Sequence, residues 1–259
     1  MFKYLQMTTV NRITLLTLNR PDKRNAMNGD MIHELLTALQ QSANSDESRV
    51  LMINGNGEHF CAGADIGWMQ QISTGSYNEN YDDAQMLADL MYQLYTFAKP
   101  TIVLVHGATL GGGLGLVAAA DIAIAAKEAS FGFSEVKMGI TPSTISPYVL
   151  SAIGERAAHY YFLSAERFGV DEAHRLGLIH QVTENNALLS TGSSIANLLL
   201  QNSPHAMTQA KHLIREVGKE KITPELAQKT AEHLANLRSS PEAQEGLRAF
   251  LEKRLPFWI

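Results

Sequence analysis

The chain has 259 residues and a single cysteine, Cys61, so no internal disulfide can form and a reducing, cytoplasmic setting is expected. Positive charge is in short supply. Against 26 Asp and Glu there are 21 Lys and Arg, and the formal charge of −5 offers no general attraction to nucleic acid or to an anionic membrane. Apolar runs of about eighteen residues are missing, which excludes a helical membrane span. The opening Met1-Phe2-Lys3-Tyr4-Leu5-Gln6 leads into a strand-like stretch and not into a signal or transit peptide. The nine histidines form no His-Glu-x-x-His and find no partner cysteines, so no metal is expected. Nucleotide motifs are absent as well: there is no Gly-x-x-x-x-Gly-Lys-Ser/Thr loop, and Leu116 occupies the last place of the dinucleotide fingerprint begun at Gly111. The stretch Gly132-Phe133-Ser134-Glu135-Val136 lacks the closing glycine of a nucleophile elbow.

With 45% hydrophobic residues, the chain can bury a substantial core. Residues 4–10 and 13–18 read as paired strands with Asn11-Arg12 at the turn. Asn28 is placed to cap a helix in which Met31, Ile32, Leu35, Leu36 and Leu39 recur at helical spacing. Extended segments followed by a helix return around residues 50–97, 101–120 and 121–153. From about Ala187 strand signals stop and helical patterns at 187–201, 205–217, 224–237 and 241–253 take over. The predicted division is therefore 1–190 and 191–259. The polar run Ser73-Thr74-Gly75-Ser76-Tyr77-Asn78-Glu79-Asn80 is read as a mobile loop between two helices.

Two glycine-rich bends carry the chemistry. The strand-like 50–53 runs into Phe60-Cys61-Ala62-Gly63-Ala64-Asp65, and the strand-like 101–106 into Gly111-Gly112-Gly113-Leu114-Gly115-Leu116. Both use residues too small to shield the backbone. Facing each other, they would present two open peptide N–H groups to one small volume, an oxyanion hole. The second bend opens a helix that is apolar almost all round and so must be buried. Its first N–H groups lack intrahelical acceptors and carry the positive end of the helix dipole. The competing reading is that the glycines serve only a tight turn and close packing. About twenty residues on, Glu135 sits in the apolar segment Phe131 to Pro142, where desolvation would raise its pKa and suit it to proton transfer. Its competing reading is a solvent-facing glutamate paired with Lys137 or Arg156. Cys61, among small neighbours, is expected to be packed and inert.

The order Gly-Ala-Asp, Gly-Gly-Gly and Phe-Gly-x-x-Glu-x-x-x-Gly resembles the crotonase superfamily of enoyl-CoA hydratases and isomerases, over essentially the whole chain. Residues 19–28 are similar to the Arg-Pro-x-x-x-Asn-Ala loop that holds coenzyme A in that family, and the likeness continues through 163–168 and 173–179 to 245–254. The resemblance implies an α/β fold, a ββα spiral core with a C-terminal helical trimerisation region. It also implies an acyl-CoA substrate, a homotrimer or dimer of trimers, and no cofactor beyond the coenzyme A carried by the substrate. Residue by residue, it puts the two oxyanion donors on the backbone N–H groups of Ala64 and Gly112 and the acid/base role on Glu135. Substrate and coenzyme contacts fall on Lys23, Arg24, Ala26 and Ala62, on Asp65, Ile66 and Trp68, and on Gly111, Gly115, Ser143 and Lys253. For Trp68, ordinary core packing has an equal claim.

The family's hydratases generally carry a second glutamate two residues after the glycine triplet, and Gly115 stands there instead. Hydration divides readily between two carboxylates, whereas moving a double bond needs one base to carry a proton between C2 and C4. Residues 64–69, 113–116, 134–140 and 145–158 look like bacterial methylglutaconyl-CoA and carboxygeranoyl-CoA hydratases, a subgroup that tends to have glycine at that position. This favours hydration of a branched or carboxylated enoyl-CoA, with Thr141, Ser143 or a second water assisting Glu135, over a Δ3-Δ2-enoyl-CoA isomerase. A third reading, a silent scaffold or RNA-binding relative, is opposed by the acidic balance and the lack of a basic stripe. Leu226, Leu234, Leu237, Leu247, Phe250 and the tail 255–259 read as apolar surface awaiting another copy.

Overall fold

The computed structural model describes residues 2–259; Met1, where the N-terminal segment read above begins, lies outside them. Strands β1 (Leu5–Val10) and β2 (Ile13–Leu18) form an antiparallel hairpin, and both turn residues take positive φ, 49° at Asn11 and 66° at Arg12, as a two-residue loop of the type I′ kind requires. Every second residue of β2, Thr14, Leu16 and Leu18, points into the core. Asn28 caps α1 (Gly29–Asn44) by accepting the Met31 N–H at 3.0 Å, and the helix buries Met31, Ile32, Leu35 and Leu39.

Strand and helix then alternate: β3 (Val50–Gly55), α2 (Ile66–Ser73), α3 (Tyr77–Tyr95), β4 (Thr101–Val105), β5 (Ala108–Leu110) and α4 (Gly112–Ala119). They are followed by β6 (Ile122–Ala126), β7 (Ser130–Gly132), α5 (Ser146–Ser164), β8 (Phe168–Gly169), α6 (Val170–Arg175) and β9 (Gln181–Thr183). Four helices close the chain, α7 (Leu188–Leu200), α8 (Pro204–Val217), α9 (Pro224–Arg238) and α10 (Pro241–Leu251). A six-stranded sheet runs β1-β2-β3-β4-β6-β9, parallel after its first pair, and a smaller sheet runs β5-β7-β8. Successive turns of the chain thus lay one strand in each sheet before a helix, β4 with β5 and then β6 with β7, which winds the core into a spiral.

The central strands of the large sheet, β3, β4 and β6, are buried on both faces, while the edge strand β1 is mostly exposed. Leu51 and Ile53 of β3 join the main core with Leu16, Phe60, Leu114 and Phe131, while the alternate residues Val50 and Met52 join Ile102, Leu104 and Ile124 beneath α7. Helix α7 contributes Leu188 and Ala196 to that second core, so the division drawn at residue 190 falls inside a helix that packs on the sheet. A side chain of Leu or Ile size is worth about 1.5–3 kcal/mol on full burial, so the hold of α7 on the sheet is substantial.

Two expectations are corrected. The run 73–80 is a connection only at 74–76, because Ser76 and Glu79 make a reciprocal capping box and Tyr77 already begins α3. Among the C-terminal apolar residues, Leu234, Leu247 and Phe250 are exposed, Phe250 at 83%, but Leu226 and Leu237 are half-buried. Arg49, immediately before β3, ties the tail down by donating to the carbonyls of Trp258 at 2.6 Å and Asn202 at 2.7 Å. Among the described residues no helix is long and apolar enough to cross a membrane.

Candidate active site

The bend at 62–65 and the bend at 110–113 lie side by side because the residues leading into them pair. Phe60 N–H donates to His106 O at 2.8 Å, Leu110 N–H donates to Cys61 O at 2.9 Å, and Cys61 and Thr109 form a parallel bridge. The approach leaves no room for side chains: a Cβ on Gly113 would lie 2.6 Å from Cys61 O, and one on Gly63 would lie 3.1 Å from Leu110 O. Gly63 (φ 95°) and Gly111 (φ 47°, ψ −118°) also hold backbone conformations that a side chain would strain.

Ala64 and Gly112 carry peptide N–H groups that the two bends leave without an acceptor among the described residues. Met27 N–H donates to Gly63 O at 2.7 Å and Asp65 N–H donates to Met27 O at 2.8 Å, which turns the Ala64 N–H between them to the opposite side. Gly112 is the first residue of α4, where an N–H has no intrahelical acceptor, and its neighbour Gly111 donates to Gly132 O at 3.1 Å. Among the described residues no backbone acceptor meets Ala64 N–H or Gly112 N–H.

Glu135 stands against the second bend: its Oε1 would lie 2.8 Å from a Cβ on Gly111. Strand β7 and the residue after it fix this approach, because Phe131 and Phe133 are fully buried, Phe131 stacking on Phe168 and Phe133 meeting Phe162 edge to face, and Glu135 opens the short 3-10 turn that follows. Glu135 Oε2 is buried without a hydrogen-bond partner, and among the described residues no ion pair joins it to Lys137 or Arg156. Burial pushes the carboxyl above its ordinary 4.5, offset in part by the backbone amides of Glu135 and Ser134. Gly115 is filled over: a Cβ there would clash with Ile145 Cγ2 and lie 2.9 Å from Met91 Sδ. A second carboxylate at that position requires Ile145 and Met91 to move.

The remaining predicted residues fall into three groups. Lys23 and Arg24 are exposed on a loop whose shape comes from buried Asn25, which accepts from Arg20 N–H at 2.8 Å and donates to Asn56 O at 2.9 Å and His59 O at 2.8 Å. That loop is joined to the first bend by Ala62 N–H donating to Arg24 O at 3.0 Å, with Ala26 buried between. The second group surrounds α2. Asp65 caps the helix by accepting Trp68 N–H at 3.1 Å and pairs with Arg20 at 2.6 Å. The Trp68 amide first, and then Arg20, hold the Asp65 carboxyl below its ordinary 3.8. Trp68 lies against Gly29 and donates its indole N–H to Asp83 at 2.8 Å, whereas Ile66 is 76% exposed. In the third group, Ser143 is exposed and shares a 2.6 Å hydrogen bond with Thr141. Lys253 is exposed beyond α10, with no hydrogen bond or ion pair to the 20–26 loop among the described residues.

Burial pushes the Cys61 thiol up to about 12, as suits a packed cysteine. Sequence reading assigned no role to Arg20 or Asn25, although both stand in the loop motif it singled out; a polar loop that must hold its own shape was the available signal. Met91 and Ile145 carried none, since only the folded chain brings them over Gly115. A cavity of about 360 Å³ between α8 and the junction of α4 with β6 touches none of these residues. Among the described residues no cluster of His, Cys, Asp and Glu is arranged to hold a metal ion.

The chain matches the enoyl-CoA hydratase/isomerase family over residues 8–259. It is 32% identical over 246 residues to the 2,3-dehydroadipyl-CoA hydratase of Escherichia coli strain K12, covering 95% of this chain and 94% of that protein. It is 35% identical over 250 residues to the mevalonyl-coenzyme A hydratase of Aspergillus fumigatus, covering 95% and 91%. Among solved structures, an enoyl-CoA hydratase from Shewanella pealeana superposes with a TM-score of 0.96 at 42% identity, covering 99% of this chain and 96% of the other. The α/β spiral with a helical C-terminal region is the architecture this chain shares with that structure.

Proposed function

The chain belongs to the enoyl-CoA hydratase/isomerase family, and from that premise we propose that it adds water across the 2,3 double bond of an enoyl-CoA thioester with a branched or carboxylated acyl group. The observation that carries this reading is the juxtaposition of the Ala64 and Gly112 amides with half-buried Glu135, whose Oε2 is buried without a hydrogen-bond partner. The thioester oxygen accepts from both N–H groups. Glu135 takes a proton from water, hydroxide adds to C3, and negative charge gathers on the thioester oxygen as an enolate. Each donor is worth about 3 to 4 kcal/mol to that charge. The proton held by Glu135 then passes to C2, so one carboxyl closes the cycle and returns to its starting form. A hydroxyl of Ser143 or Thr141, or a second water, assists Glu135.

Lys23 and Arg24, exposed at the mouth of the same bend, meet the coenzyme phosphates as point charge and guanidinium donors. The relatives described above are named as hydratases, which supports water addition over isomerisation. The filled position at Gly115 supports a second reading, a Δ3-Δ2-enoyl-CoA isomerase that uses Glu135 alone to move a proton from C4 to C2 or back. The exposed apolar face of Leu247, Phe250 and Leu251 supports association with further copies as a trimer or a pair of trimers, with Lys253 near a coenzyme. Sedimentation as a monomer at micromolar concentration contradicts that assembly.

Absorbance of the conjugated enoyl thioester separates the two reactions. Hydration removes the band from a 2-enoyl-CoA in water, and isomerisation creates it from a 3-enoyl-CoA. Loss of the band supports the hydratase, gain alone supports the isomerase, and neither change over a range of acyl chains sinks both.

A further inference from the structure

We propose that Arg20 and Asp65 form a positioning clasp that sets the direction of the Ala64 N–H; the proposal rests on the thioester site described above. Ala64 is exposed and its side chain is a single methyl, so nothing of its own holds it. Its N–H has to stay free for a ligand. Orientation must therefore come from the residues on either side. On one side the Gly63 carbonyl is held by Met27 N–H. On the other, Asp65 is gripped through three groups: its N–H by Met27 O at 2.8 Å, one carboxylate oxygen by Trp68 N–H at 3.1 Å, and the other by Arg20 at 2.6 Å.

The guanidinium closes the circuit, because the same Nη1 that bonds Asp65 also donates to Ala26 O at 3.0 Å. Both partners are largely shielded from water, with side chains 13% and 15% exposed, so the bond is screened less than a surface pair. Arg20 also shapes the loop of Lys23 and Arg24: its carbonyl accepts from Lys23 at 3.1 Å and from Asn25 at 2.9 Å. Helix α2, which begins at this point, has no fully buried residue. Its first turn is held by the Asp65 cap, by Trp68 against Gly29 with its indole N–H on Asp83, and by the ion pair that fixes Asp65. One side chain thus couples the loop proposed for the coenzyme to one of the two oxyanion donors.

The test reads carbonyl polarisation separately from turnover. An aryl-conjugated enoyl-CoA bound at saturation shifts its absorption to longer wavelength when donors polarise the thioester oxygen. Wild type and Glu135→Gln are expected to give the full shift. Arg20→Met is expected to give a smaller shift and a kcat lower by about 10²-fold, the scale of a misplacement near 1 Å, with a much smaller change in KM. Arg20→Lys should recover part of both, since an ammonium can serve two acceptors from one nitrogen. Asp65→Asn keeps the helix cap and removes the ionic bond, so it tests the clasp even where Arg20→Met fails to fold; a reduced shift is expected. A full shift with unchanged kcat in Arg20→Met or Asp65→Asn overturns the clasp. Absence of any shift in wild type removes the thioester site itself, and the clasp with it.

Discussion

The two bends offer the same group, a peptide N–H open to a ligand, by different construction. The bend at 110–113 is made by packing: Gly111 and Gly113 are buried, Leu114 and Leu116 are sealed in the core behind them, and the first turn of α4 supplies the donor. The bend at 62–65 is made by polar bonds at the edge of the core, through Met27, Arg20 and the cap of an α2 that buries no residue fully. A site of this kind needs one wall that does not yield and one that can admit a bulky thioester. The difference predicts that volume changes break the second bend and charge changes break the first.

The largest effect lies at the group both bends face. Glu135→Gln should abolish turnover, measured by loss of the enoyl band, while circular dichroism shows an unchanged fold. Next is Gly113→Ala, whose Cβ would lie 2.6 Å from Cys61 O and 2.9 Å from Cys61 Cβ. Overpacking of this kind costs about 1–3 kcal/mol, and thermal unfolding should show that loss at low and high salt alike. Gly115→Glu should likewise lower the melting temperature and add no hydratase activity, because Ile145 and Met91 occupy the space. Activity gained without loss of stability would show that the position is open.

Smaller effects follow from the two carboxyls. Burial raises the Glu135 pKa above its ordinary 4.5, so ionised Glu135 destabilises the folded chain at neutral pH and does so less as pH falls through the raised value. Glu135→Gln should therefore raise the melting temperature at pH 7 and lose that advantage under acid. For the same reason the acid limb of kcat/KM should fall above the ordinary carboxylate range. Asp65 has the opposite sign, since its folded pKa is depressed by the Trp68 amide and Arg20. Its stabilisation is present above the unfolded pKa and is lost as pH falls through the lowered one. Asp65→Asn should remove that acid-dependent step from a stability profile and leave the step due to Glu135.

Local physics made much of this legible from the amino-acid order. The alternation in 13–18, the Asn28 cap and the apolar face of α1 follow from side-chain period and backbone hydrogen bonding, and the structure has all three. The glycine bends and the apolar setting of Glu135 were equally visible, because smallness and desolvation are properties of short segments. The Arg20 to Asp65 pair was not, since 45 positions separate two charges of common type. The filling of Gly115 by Met91 and Ile145 depends on α3, α4 and the approach to α5 meeting, which no local pattern announces. The run at 73–80 was misread because its polar composition outweighed the Ser76 to Glu79 spacing that starts a helix.

A crystal structure with a bound enoyl-CoA analogue tests the shared role of the two bends most directly. The thioester oxygen should lie about 2.7–3.1 Å from both the Ala64 and Gly112 nitrogens, with the Glu135 carboxyl beside C2 and C3. An acyl chain seated elsewhere, or a thioester oxygen reached by only one of the two bends, would contradict it.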